Sequence, residues 1–115
     1  MNPLRCYRKN TFVILLDVCD YTFQNGDTIY FTVKVKPDDD STDNDALIKA
    51  NWTYGTDVTL NDDGVLECTL SASDTNIDFG DYFYDIKLVA ASDPAVEQTL
   101  VTGDFTVLPV ATLRV

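Results

Sequence analysis

Along Tyr82, Tyr84, Ile86 and Leu88 every second residue is large and apolar, while Asp81, Asp85 and Lys87 take the opposite parity. A period of two is the pattern of a strand with one face in a core. The same alternation sets Ile29, Phe31, Val33 and Val35 against Tyr30, Thr32, Lys34 and Lys36, just after a turn at Asn25-Gly26. It recurs in Ile48, Ala50 and Trp52 against Lys49 and Asn51, and in Leu66, Cys68 and Leu70 against Glu67 and Thr69. Phe12, Ile14, Leu16 and Val18 share one parity, but Val13 and Leu15 are apolar too, which a strand covered on both faces explains. Tyr54 to Leu60 reads as a short additional strand, Asn61-Asp62-Asp63-Gly64 as a turn, and Ser71 to Ile77 as a connecting loop. A last strand pair is expected at Gln98 to Val101 and at Phe105 to Val107. No stretch carries a helical period. The punctuation predicts an all-β protein, a single antiparallel β-sandwich of about seven strands over residues 11–109. Residues 1–10 read as a flexible N-terminal arm and residues 110–115 as an apolar tail.

A chain of 115 residues with 45% hydrophobic residues supplies one core without needing a metal or disulfides. Its formal net charge of -11 repels phosphate, so a nucleic-acid partner is not expected. Three Cys, at positions 6, 19 and 68, cannot all pair within one chain and read as reduced thiols in a cytosolic setting. The apolar run Phe12 to Leu16, cut by Asp17, is too short for a signal segment or a membrane span.

The sequence contains no His, so Ser-His and Cys-His nucleophile pairs cannot be built. Cys68 falls on an apolar face without a basic partner and reads as a small buried hydrophobe. Carboxylate pairs such as Asp78 with Asp85 arise by chance in so acidic a chain. Neither a catalytic residue nor a cofactor is assigned. The loop from Pro37 to Asp45 reads PDDDSTDND. A solvated, self-repelling loop explains it, with a Ca²⁺ site at Asp38, Asp40, Asp43 and Asp45 as the alternative. It lacks the Gly and the closing Glu of an EF-hand loop.

Asp78-Phe79-Gly80-Asp81-Tyr82 sets Asp, Gly and Tyr at two-residue steps where a loop leads into a strand. This resembles the tyrosine corner of immunoglobulin-like sandwiches, in which the phenol bonds backbone a few residues upstream. The resemblance gives Tyr82 and Gly80 structural roles and makes Trp52 a core residue. Antibody domains carry a bridged Cys two places after the corner Tyr, and here Tyr84 stands there. More widely, the segments GDTIYFTVK, LSASDTNIDFGDYFYDIKLV and TLVTGDFTV followed by Pro109 resemble small Ig-like structural proteins of tailed phages and prophages of Gram-positive bacteria. The run from Gly80 to Ile86 is similar to a G-x-Y-x-Y-D-I strand of such virion proteins, including the Ig-like N-terminal domains of baseplate proteins. The likeness spans about Gly26 to Thr112, and it implies a non-enzymatic structural or assembly module whose partners are other phage structural proteins. The implied location is the virion, or the bacterial cytoplasm during assembly.

The tail leaves Val110, Leu113 and Val115 to be covered. Strand addition to a neighbouring subunit, in a homo-oligomer, is one reading. Completion of the chain's own last strand, or truncation of a longer chain, is the other. An alternative function is an extracellular adhesion or carbohydrate-binding module that stacks sugars on Tyr30, Tyr54 and Phe83.

Overall fold

The computed structural model describes residues 3–18, 21–35, 46–92 and 97–110. Its seven strands are β1 (Leu4–Tyr7), β2 (Phe12–Leu16), β3 (Thr28–Lys34), β4 (Ile48–Thr53), β5 (Leu66–Leu70), β6 (Gly80–Val89) and β7 (Glu97–Leu108). Among the described residues there is no helix. One sheet has the order β1-β7-β6-β3-β4 and the other pairs β2 with β5. Every pair is antiparallel except β1 with β7, which is parallel, so the larger sheet is mixed.

Alternation decides which side chains meet. Ile29, Phe31 and Val33 of β3 and Tyr84, Ile86 and Leu88 of β6 lie on one buried face, and Leu66, Cys68 and Leu70 of β5 are buried as well. These residues form one core cluster with Ile14 and Leu16 of β2, Trp52 of β4, and Phe105 and Val107 of β7. Phe31 sits at its middle, with ring centroids 5.6 Å from Tyr84, 5.7 Å from Phe105 and 6.4 Å from Trp52. Phe12 meets Phe105 edge-on at 6.3 Å, a contact from the smaller sheet to the larger.

Four expectations are corrected. The architecture expected to be antiparallel contains one parallel pair, β1 with β7. Residues 1–10 are not a loose arm throughout: Leu4 to Tyr7 pair with Phe105 to Leu108, and Cys6 is buried in the core. The expected pair of strands after Gln98 is one twelve-residue strand, with a register shift opposite Ile86 and Lys87 that skips Leu100. Tyr54 to Leu60 forms turns with isolated bridges, not a strand.

Candidate functional site

β2 packs Ile14 and Leu16 inward, and its other parity is not covered: Val13 is 45% and Leu15 67% exposed. The strand expected to be apolar because both faces are buried is apolar on an open face. Among the described residues β2 pairs with β5 alone, so its second edge carries no partner strand. Beside that edge runs a groove of about 720 Å³. Its walls include Ile14 and Leu16 of β2, Leu4 of β1, Ile86 of β6, and Leu100 and Val101 of β7. The bulge at Leu100 is what brings two consecutive aliphatic side chains of β7 to one wall. Asp17 lines the groove at the end of β2. Gln98 and Thr99 of β7 join Asp17 among its polar lining, and aliphatic walls interrupted by polar groups beside a free backbone edge suit an extended peptide.

At the start of β6 the Tyr82 hydroxyl donates to the Asp78 carbonyl at 2.5 Å, four residues upstream. Burial and the Asp78 charge hold this phenol above its ordinary pKa, against the Arg8 charge, so it remains a donor. Gly80 has φ 154°, a conformation that a side chain disfavours. Trp52 is buried, and its indole nitrogen donates to the Thr69 carbonyl on β5 at 3.3 Å.

A buried carboxylate escaped the sequence reading. Asp27, 1% exposed, accepts through Oδ2 from the Tyr21 hydroxyl at 2.7 Å and the Gln24 amide at 2.9 Å, and through Oδ1 from the Ala91 amide at 2.8 Å. Burial pushes its pKa up, but the three donors outweigh that and the net shift is downward. Burial and the same carboxylate drive the Tyr21 phenol up to about 12. The arrangement locks the β2–β3 connection to the residues after β6, and its burial closes it to solvent. Thr75, in the expected loop, is likewise fully buried, donating to the Asn10 carbonyl at 2.8 Å.

Cys68 is buried, and burial raises its thiol to about 12; the Cys6 thiol is raised for the same reason. Asp78 precedes β6, whereas Asp85 lies within it beside Thr32 and Thr102, so the two do not form an acid–base pair. Tyr30 is exposed on β3 opposite Lys87, Phe83 stands four positions further along opposite Lys34, and Tyr54 stacks on Phe23 at 5.3 Å. Asp38, Asp40, Asp43 and Asp45 lie outside the described residues, and so do Leu113 and Val115; Val110 is half-buried. Among the described residues no three His, Cys, Asp or Glu side chains gather to hold a metal ion, and no helix is long and apolar enough to cross a membrane.

No family model, curated protein or solved structure matches the chain significantly.

Proposed function

We propose that the chain is an immunoglobulin-like β-sandwich serving as a non-enzymatic structural or assembly module of tailed-phage or prophage particles, working through contacts with other structural proteins. The strand order supports the fold reading. An Ig sandwich sets strands G, F, C and C′ in one sheet and B and E in the other. Here β7, β6, β3 and β4 follow the first order, and β2 and β5 form the second pair. The corner Tyr82 then falls at the start of strand F, where this fold carries it.

The observation that carries the functional reading is the open, aliphatic edge of β2 with its groove, a surface whose chemistry suits backbone pairing and packing. Particles released from an induced lysogen of the source bacterium provide the test. The chain should be present in purified particles at a copy number fixed relative to the other structural proteins. Its absence from purified particles, or turnover of a substrate lost on a single polar substitution, contradicts the reading.

A further inference from the structure

We propose that the open edge of β2 and the groove beside it receive residues 110–115 of a second copy of this chain as an added strand. The proposal deepens the contact-module reading and rests on it. In the Ig layout the place beside strand B belongs to strand A, and among the described residues nothing pairs there. An unpaired edge flanked by exposed Val13 and Leu15 is the kind of edge that other strands join. At about 30 Å³ per water molecule, a groove of about 720 Å³ has room for several aliphatic side chains.

The tail has the pattern the slot requires. Ala111, Leu113 and Val115 fall on one parity of an extended segment, and Thr112 and Arg114 on the other. Laid along β2 with the apolar parity inward, the segment fills the groove and turns Arg114 outward. Arg114 is the only Lys or Arg after Lys87 in a chain of net charge -11, and Asp17 borders the groove. The charges therefore favour the docked segment.

Residues 111–115 of the same molecule fall short of the groove's far end. β7 has Gln98 to Val101 in the groove wall at one end and leads to Val110 at the other. Nine residues of extended chain, about 30 Å, separate Val101 from Val110, whereas residues 111–115 span about 17 Å. A segment lying along the whole groove therefore comes from a second molecule, and segments docked head to tail in this way build rings or filaments.

The test measures molar mass by light scattering across the micromolar range, with residue-resolved amide exchange at both ends of the range. The 115-residue wild type is compared with Thr112→Pro, which removes an N–H that an added strand would use, and with Leu113→Asp. The wild-type mass should rise above 12.8 kDa with concentration, and β2 amides should gain protection in step. Thr112→Pro should weaken association about a hundredfold while the tryptophan emission stays native. Four results would overturn the proposal: a monomer with β2 exchanging freely throughout, a monomer whose β2 edge is already protected, association indifferent to both substitutions, or association that leaves β2 unprotected. Each of these leaves the contact-module reading to the particle-composition test.

Discussion

The indole nitrogen of Trp52, on β4, donates to the Thr69 carbonyl on β5 at 3.3 Å and so joins the two sheets along one side. The opposite side, between β2 and β7, is held by Phe12 against Phe105 but opens into the groove. Trp52→Phe should cost about 1 to 3 kcal/mol, from the orphaned carbonyl and the lost apolar area. Urea titration measures this cost. As the only Trp in the chain, Trp52 should also emit from a dry environment until the sheets separate.

The corner bond makes a smaller demand. Tyr82 donates to a carbonyl near solvent, so Tyr82→Phe should cost about 0.5 to 1.5 kcal/mol, and Tyr30→Phe, at an exposed site, close to nothing. Gly80→Ala should cost about 1 to 3 kcal/mol although there is room for the methyl group, because the penalty comes from φ 154°. Equal effects at Tyr82 and Tyr30 in thermal melts would remove the corner from the account.

Asp27 gives a pH dependence of defined sign. Its folded pKa is depressed, so its contribution is complete above the unfolded value of about 3.9 and is lost as pH falls through the folded value. Asp27→Asn puts an amide where three donors converge and should cost about 1 to 3 kcal/mol at neutral pH. The difference between the two proteins should shrink below about pH 4. A difference that stays constant down to pH 2 would mean that the charge is not what these donors hold.

The thiols of Cys6 and Cys68 should resist a disulfide reagent at neutral pH, because both are buried and burial raises their pKa values. In a Cys19→Ser background both should react promptly once the protein is unfolded. Fast labelling of Cys68 in the native protein would contradict its place in the core.

What was legible in the sequence is what burial of one face dictates locally. β3, β5 and β6 alternate because each lies over the core, and the corner at Tyr82 closes within five residues. β1 was hidden because its partner lies about a hundred residues away, and a four-residue alternation beside basic residues reads equally as an arm. The bulge at Leu100 shifts the parity of β7 and splits one strand into an apparent pair. Val13 and Leu15 are apolar whether another layer covers them or a partner awaits them, so composition alone does not separate a buried face from an open one. Asp27 directly follows the Asn25-Gly26 turn, and nothing local marks it as buried, because the amide that completes its shell belongs to Ala91, sixty-four positions on.

Residue-resolved amide exchange on the dilute protein tests most directly whether one core lies under two sheets of unequal width. The account predicts the slowest exchange in β3 and β6, each flanked by two strands, and protection of only every second amide in β2, those bonded to β5. Protection of all β2 amides in the monomer, or free exchange in β3 and β6, would contradict it.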